Sequence, residues 1–184
     1  MQKKFLTNLG LLLFLNLLIK PFWVLGIDRS VQNAVGAEDF GFYFSILNFS
    51  FLFNILLDLG ITNFNNRNIA QNSHLLNKHF SSILILKLLL LSVYVFFTFA
   101  IGLIIGYNIL QFKMLAWVIV NQFLLSFVLY LRSNISGLLM FKTESFLSVL
   151  DRLLMIIFCS VLLWGNVTES KFRIEWFIYT QTGA

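Results

Sequence analysis

Charged side chains are scarce in this sequence, and their scarcity excludes the ordinary soluble classes of protein. Only 11% of the 184 residues are Asp, Glu, Lys or Arg, whereas 59% are hydrophobic and 22 are phenylalanine. An average globular domain carries about 25% charged residues. The composition therefore indicates a chain that places most of its surface in lipid.

Cysteine and proline are nearly absent as well. The single cysteine, Cys159, lies inside an apolar run. It has no second cysteine to pair with in this chain, so we expect it to be a small packed residue. The single proline, Pro21, falls within the first apolar segment. Because proline lacks a backbone N–H group, it predicts a kink in that helix.

The sequence also lacks the motifs of common enzymes. It contains no G-x-x-x-x-G-K-[ST], no G-x-S-x-G and no paired carboxylates at the spacing used for acid–base chemistry. His74 and His79 are five residues apart, which is off phase for one helical face, and no Cys or acid lies beside them. We therefore expect no metal site, no cofactor and no enzymatic activity.

The net charge of +5 raises the question of nucleic acid as a partner. No basic stripe interleaved with exposed aromatic residues is present, as a nucleic-acid surface would require. Lys and Arg in short loops set the orientation of membrane proteins. The charge therefore predicts membrane lipids as the partner, and no nucleic acid.

Apolar runs of about 20 residues recur along the chain, which is the length an α-helix needs to cross about 30 Å of hydrocarbon. The alternating segments of about ten residues that mark a transmembrane β-barrel do not occur. The sequence predicts an all-α membrane protein, a bundle of five complete transmembrane helices plus the start of a sixth. The predicted spans are residues 5–27, 41–60, 81–107, 114–131 (or to 141), 146–164 and a partial span 174–184.

We expect residues 1–184 to form a single transmembrane helical domain. The last apolar run covers about eleven residues, which cannot cross a bilayer. The chain is therefore expected to be the N-terminal part of a longer protein. Residues 28–40 are predicted to be a polar outer loop, residues 61–79 an Asn-rich inner loop, and residues 108–113 a short outer turn. Residues 166–173 are predicted to be a third outer loop, whose glycosylation triplet at Asn166 we discount.

The distribution of cations predicts that the N-terminus lies in the cytoplasm. Six cations fall on the side of the N-terminus, namely Lys3, Lys4, Arg67, Lys78, Arg132 and Lys142. Four fall on the other side, namely Arg29, Lys113, Lys171 and Arg173. The outer cations are accompanied by acids, including Glu169, whereas the inner loops carry only Glu144.

Charged residues inside the predicted spans are the candidate functional residues, because a charge in lipid is costly unless it meets water or a partner. Lys20 lies in the first span, where it either faces a cavity or snorkels from a shortened helix. Asp58 lies in the last turn of the second span, where the helix dipole disfavours an acid. Asp58 then needs Arg67 or a cation from another helix, unless it is a plain interfacial acid. Lys87, in the third span, is expected to snorkel.

Three further candidates lie in the fourth and fifth spans. Arg132 is predicted at the inner end of the fourth span. Asp151 and Arg152 are adjacent in the first two turns of the fifth. Adjacent helical residues point about 100° apart, so each is free to pair with a different neighbour.

Three stretches carry a resemblance to a known family. They are NLLIKPFW in the first span, FGFYFSILNFSFLFNILLDLGI followed by NNRNIAQ, and LRSNISGLLMFKTESFLSVLDRLLMIIFCSVLLWG. In order and spacing these stretches resemble the oligosaccharide flippases, the polysaccharide-biosynthesis membrane proteins of the multidrug/oligosaccharidyl-lipid/polysaccharide superfamily. The resemblance covers essentially the whole chain, but only the first five or six of the family's twelve to fourteen helices.

The resemblance implies an N-terminal lobe of a flippase-type fold in a bacterial cytoplasmic membrane. Such proteins move an undecaprenyl-pyrophosphate-linked oligosaccharide across that membrane by alternating access. Polysaccharide polymerase and glycosyltransferases of the same pathway are the implied protein partners. The residues that the resemblance suggests around the cavity are Lys20, Arg29, Asp58, Arg132, Asp151 and Arg152, with the cations receiving the pyrophosphate.

Two other functions stay open from the sequence. A drug/cation antiporter of the same superfamily would use cavity acids, for which Asp58 and Asp151 are the candidates. A membrane enzyme acting on lipid-linked sugars would usually show large outer loops with catalytic acids. The predicted outer loops here are short, which favours transport over catalysis.

Overall fold

The computed structural model describes residues 2–165 and 172–184, and within those ranges the chain folds into helices with no strand. The outer-loop prediction for 166–173 therefore falls largely outside the described residues, as do Asn166, Glu169 and Lys171. The α-helices are α1 Gln2–Phe22, α2 Arg29–Val35, α3 Ala37–Leu52, α4 Ile61–Gln71, α5 Leu76–Ile105, α6 Ile109–Gly137, α7 Phe141–Trp164 and α8 Ile174–Gly183.

The described helices group into two compact units. The first unit comprises Met1–Phe42 and Phe141–Ala184, and the second unit comprises Tyr43–Met140. The boundary between them falls inside α3 and just before α7. The expected single transmembrane domain stays a prediction.

The first unit is built on the packing of α1 against α7, with α8 also against α7. The side-chain amide of Asn16 donates to Ser148 Oγ at 3.4 Å, which links the two long helices by a polar contact. Directly after Pro21 and Phe22 the chain continues as a π-helical segment, Trp23–Asp28. This segment is a wider helical turn, and the kink predicted from Pro21 stays a prediction.

The prediction of an outer loop over residues 28–40 was wrong. This stretch is helical, with α2 running to Val35 and α3 beginning at Ala37. Only Gly36 interrupts it, with φ at +93°, a conformation that glycine adopts without steric cost. Glu38 and Asp39 stand in the first turn of α3, where acids complement the positive end of the helix dipole.

In the second unit, α5 and α6 are connected by a short turn whose residues end one helix and cap the next. Gly106 has φ at +85°, which ends α5. Asn108 then caps α6: its side chain accepts from the Gln111 N–H at 2.9 Å, and the Gln111 side chain accepts from the Asn108 N–H at 2.8 Å. This reciprocal capping satisfies two backbone donors at the start of the helix.

The predicted second span, residues 41–60, is not one helix. The α-helix ends at Leu52, a short 3-10 helix follows at Asn54–Leu57, and α4 starts at Ile61. Leu59 and Gly60 both have positive φ, at +44° and +83°. The two helical parts, Ala37–Leu52 and Asn54–Gln71, are bent by 57° relative to each other. We call residues 53–60 the break.

The Asn-rich stretch predicted as an inner loop is also mostly helix. It forms α4, and α4 packs along α6. Asn65 is buried on this face and donates to Ser133 Oγ at 2.8 Å and to Asn134 Oδ1 at 2.7 Å. The asparagines satisfy each other across the two helices, so the polarity of the sequence did not mean exposure to water.

Three described helical segments are long and apolar enough to cross a membrane: His79–Ile105, Ile109–Gly137 and Phe141–Trp164. The bent pair formed by α3 and α4 adds a fourth if it counts as one span. The all-α prediction holds for the described ranges, whereas the prediction of five complete spans is not confirmed. The fourth predicted span starts earlier than expected, since α6 begins at Ile109, and its end at Gly137 falls between the two predicted ends, 131 and 141.

Candidate functional site

The break leaves backbone carbonyl groups without their regular helical partners, and two side chains from neighbouring helices supply new ones. Ser126 Oγ, on α6, donates to the carbonyl oxygen of Leu57 at 3.2 Å. Lys87 Nζ, on α5, lies 3.4 Å from the same oxygen. In a membrane helix an unsatisfied carbonyl is costly, so these contacts are what makes an interrupted helix tolerable.

Lys87 is the most informative residue of the second unit. Its side chain is only 1% exposed, and its ammonium lies 2.7 Å from Asp58 Oδ1 and 2.9 Å from Ser126 Oγ. The ammonium also lies 3.3 Å from the Ser126 carbonyl oxygen and 6.0 Å from the centroid of the Tyr130 ring. We call Leu57, Asp58, Lys87 and Ser126 the break site.

The expectation that Lys87 snorkels was wrong. A lysine reaches for the membrane surface when no partner is available at its own depth. Here the ammonium has a carboxylate, a hydroxyl and two carbonyl oxygens as acceptors. A buried charge that is paired and hydrogen-bonded in this way has no reason to leave the interior.

The prediction that the helix dipole disfavours Asp58 was also wrong, because the break places Asp58 before the start of a helix instead of at the end of one. Asp58 does not end a continuous helix; it stands just before α4. Its carboxylate accepts from the Thr62 hydroxyl at 2.5 Å and from the Thr62 backbone N–H at 3.3 Å. The acid therefore lies at the positive end of α4, where the helix dipole favours it. Of the two cation partners considered, the one on another helix is the partner, namely Lys87.

A polar cavity of about 250 Å³ opens beside the break site. We call it the polar cavity, and its lining residues are Asn54, Asp58, Thr62, Asn63, Gln122, Leu125, Ser126 and Leu129. Gln122 is 4% exposed, and its side-chain carbonyl oxygen is buried without a hydrogen-bond partner among the described residues. The Asp58 side chain is 31% exposed, so its carboxylate is accessible from the cavity, whereas the Lys87 side chain is buried.

A second cluster of charged residues lies in the first unit. Arg152, on α7, stacks over the Trp23 ring with its guanidinium carbon 5.4 Å from the ring centroid. Trp23 in turn stacks on Phe177 of α8, with centroids 6.0 Å apart. Arg152 Nε also lies 3.5 Å from Asp151 Oδ2, so the two adjacent residues pair with each other after all.

Asp28 ends the π-helical segment and lies close enough to Arg152 to interact with it electrostatically. Burial raises the pKa of Asp28, and the Arg152 guanidinium works in the opposite direction. A cavity of about 520 Å³ opens beside the segment. It is lined by Val24, Leu25, Asp28, Arg29, Gln32, Asn33, Gly36 and Ala37. Arg29 is exposed there.

The six residues predicted for a substrate cavity divide between the two units. Asp151 and Arg152 are in contact, and Arg29 lines the cavity of the first unit, where Lys20 is exposed on α1. Asp58 belongs to the break site of the second unit. Arg132 lies on α6 with its Nε buried, and it directly precedes Ser133 and Asn134, the partners of Asn65. Their role in binding substrate stays a prediction.

Three residues of the second-unit site were missed from the sequence. Lys87 was noticed but assigned to the membrane surface, and Ser126 gave no signal at all. Gln122 was not among the predicted site residues, although it lies near the middle of the predicted fourth span. An amide at mid-span is costly in lipid, and that cost could have marked Gln122 as facing a cavity. In the part of the chain that the structure describes, no three His, Cys, Asp or Glu side chains come together as a metal ion requires.

Comparison with known proteins gives one result. No curated protein and no solved structure matches the chain. The family described as polysaccharide biosynthesis protein matches residues 8–172, which covers most of the sequence and extends over both units. Its match agrees with the apolar helices and with the resemblance seen in the sequence. The chain is a membrane protein that belongs to the polysaccharide biosynthesis protein family.

Proposed function

We propose that this chain takes part in moving a lipid-linked oligosaccharide, carried on undecaprenyl pyrophosphate, across a bacterial cytoplasmic membrane for cell-surface polysaccharide biosynthesis. The family supplies the biosynthetic context. The observation that carries the transport step is the break site. A carboxylate and an ammonium are held together at an interrupted helix, beside a polar cavity, among helices of membrane length.

Broken helices of this kind are characteristic of transport proteins. Irregular backbone at membrane depth is tolerated only where it is buried in protein or lines a water-filled cavity. In transporters, discontinuous helices form sites for substrates and ions near the middle of the bilayer. The break site has the same elements, namely freed carbonyls, a helix start and paired charges. Two of its residues, Asp58 and Ser126, line the cavity.

Transport by alternating access, rather than catalysis, is the proposed activity. At the break site the Asp58 carboxylate is neutralised by Lys87 and hydrogen-bonded to Thr62. A carboxylate held in this way is a poor general base, since its negative charge is already stabilised. The same pairing argues against a cation antiporter of the superfamily. Such a protein needs a cavity carboxylate that is free to exchange cations.

The cations of the first unit suit the anionic part of the substrate. Arg152 and Arg29 lie near the π-helical segment, and an arginine binds a diphosphate through two parallel hydrogen bonds. We propose Lys20 and Arg132 as further contacts. The proposal also places the N-terminus in the cytoplasm and gives polysaccharide polymerase and glycosyltransferases as pathway partners.

Deletion of the gene in its host tests the proposed function. The deletion strain should lose surface polysaccharide and accumulate lipid-linked oligosaccharide on the cytoplasmic side. Wild-type chain and Lys113→Met should restore the polysaccharide, whereas Lys87→Met should not, although all three reach the membrane. Lys113 is exposed just after the start of α6 and makes a matched control. Normal polysaccharide in the deletion strain would overturn the proposal.

A further inference from the structure

The wall of the polar cavity combines three kinds of hydrogen-bonding group with a larger apolar area. Asn54, Asn63 and Gln122 contribute amides, Thr62 and Ser126 hydroxyls, and Asp58 a carboxylate. Leu125 and Leu129, one turn apart on α6, contribute the apolar side. Amides both donate and accept hydrogen bonds, whereas a carboxylate only accepts them. The wall therefore suits a ligand that presents several donors and acceptors on one side and C–H groups on the other.

Gln122 points to a bound ligand independently of the composition of the wall. Only 4% of its surface is exposed, and its side-chain oxygen lacks a hydrogen-bond partner among the described residues. A buried acceptor without a donor is costly, so native proteins seldom leave one unmet. Because Gln122 lines the cavity, a hydroxyl group bound there would supply the missing donor.

The charge of the cavity favours a neutral ligand. Asp58 is the only ionisable residue among the lining residues, and its charge is matched by Lys87 at 2.7 Å. A diphosphate would find no available cation, because the Lys87 ammonium is buried behind Asp58 and fully engaged. A metal cation would have to compete with that ammonium for the same carboxylate. A neutral polyhydroxyl compound meets neither obstacle.

The volume sets the size of the ligand. At about 250 Å³ the cavity is smaller than the roughly 300–1,000 Å³ of sites that enclose drug-sized molecules. It could hold about eight water molecules at the density of the liquid. A single sugar ring fits within these limits.

We propose that the polar cavity binds one neutral sugar residue of the transported oligosaccharide. The inference rests on the proposed function and assigns a substrate subsite to Gln122, Asn63 and Asp58. The Gln122 oxygen accepts from one sugar hydroxyl. The outer oxygen of Asp58, whose one hydrogen bond among the described residues is from the Thr62 N–H at 3.3 Å, accepts from another. Asn63, exposed at the cavity, donates to a ring substituent.

Binding is tested with free sugars on the full chain in lipid nanodiscs, by saturation-transfer NMR. The probes are methyl glycosides of glucose, galactose, mannose and N-acetylglucosamine. Inorganic diphosphate and sodium chloride serve as competitors, with choline chloride at equal ionic strength. The variants are Gln122→Met and Asn63→Ala. The matched control is Asn121→Leu, which changes the neighbouring amide on α6 outside the cavity lining.

At least one neutral glycoside should give a saturable signal with the wild-type chain and with Asn121→Leu. Gln122→Met should weaken its binding by about tenfold, as expected for the loss of one hydrogen bond to the ligand. Asn63 is exposed, so Asn63→Ala keeps the test decisive if the Gln122 variant fails to fold. Absence of signal from every neutral glycoside would overturn the proposal, as would displacement by diphosphate or sodium, or equal binding by all variants.

The flipping assay on the same wild-type preparation separates this inference from the proposed function. A chain that flips lipid-linked oligosaccharide but binds no glycoside removes the subsite and leaves the function. A chain that binds a glycoside through Gln122 but flips nothing keeps the sugar site and removes the function.

Discussion

The ammonium of Lys87 lies 2.7 Å from a carboxylate oxygen of Asp58, across the interruption of the second predicted span. The pair joins α5 to the start of α4 and leaves the lysine buried while the acid stays partly exposed. The same few contacts therefore stabilise both an intramembrane cation and an interrupted helix.

Removing one partner of this pair should cost more than removing both. Lys87→Met leaves the Asp58 carboxylate and the Leu57 carbonyl with fewer donors. It should lower the free energy of unfolding by about 2–4 kcal/mol, toward the low end because Asp58 is partly exposed. The double variant Asp58→Asn, Lys87→Met should recover part of that loss. The measurement is unfolding by SDS in mixed micelles. Equal stability of wild type and Lys87→Met would contradict the pairing.

The close approach of α4 and α6 depends on Gly137. A Cβ atom at this position would lie 2.8 Å from Ile69 Cβ and 3.0 Å from the Asn66 carbonyl oxygen. Gly137→Ala should therefore destabilise the chain by about 1–3 kcal/mol. The matched control is Gly41→Ala on α3, where a Cβ meets nothing within 4 Å and should stabilise the helix by up to about 1 kcal/mol. Changes of the same sign in both variants would argue against this packing.

The amide of Asn65 should contribute to the same contact. Asn65→Leu removes the hydrogen bonds to Ser133 and Asn134 while keeping the side-chain size. We expect a loss of about 1–2 kcal/mol in the same SDS unfolding experiment, since both partners stay buried. Asn68→Leu, on the same helix but outside this cluster, should change stability by less than about 0.5 kcal/mol. A larger effect at Asn68 than at Asn65 would refute the assignment.

Asp28 should make the stability of the chain depend on pH. Its pKa is raised in the folded state, so the folded chain holds the proton more tightly than the unfolded chain does. The stability that Asp28 contributes is fully present at a pH below the pKa it has in the unfolded chain. It decreases as the pH rises through the pKa that Asp28 has in the folded chain. Asp28→Asn should therefore raise the thermal midpoint at about pH 7. That gain should vanish near pH 4, close to the ordinary pKa of Asp. A gain of equal size at both pH values would exclude the titration of Asp28 as its cause.

The sequence was sufficient for those features that depend on composition. Leu- and Phe-rich runs must be helices in lipid because their backbone groups have to bond within the segment. That requirement predicted α5, α6 and α7 to within a few residues. The family resemblance rested on the order of these runs and is confirmed by the match over residues 8–172.

The interrupted span could not be foreseen in the same way. No proline and no glycine precede Gly60 in the break, so local signals favoured a continuous helix over residues 41–60. What stabilises the interruption comes from 30 and 69 residues away, through Lys87 and Ser126. The Asn-rich stretch was misjudged for a related reason. Its Asn65 side chain is hydrogen-bonded to Ser133 and Asn134 on α6, and no local sequence pattern predicts these contacts.

Flipping in proteoliposomes is the most direct test of the proposed function. Vesicles containing the protein expressed from its complete gene, together with a fluorescent undecaprenyl-pyrophosphate oligosaccharide, are treated with a membrane-impermeant glycosidase, and the protected fraction is followed over time. The account predicts that the wild-type chain and Lys113→Met bring the protected inner pool to the outer leaflet. Lys87→Met and protein-free vesicles should leave about half of the lipid protected, the share expected for an even distribution between leaflets. Equal protection with the wild-type chain and without protein would contradict the account.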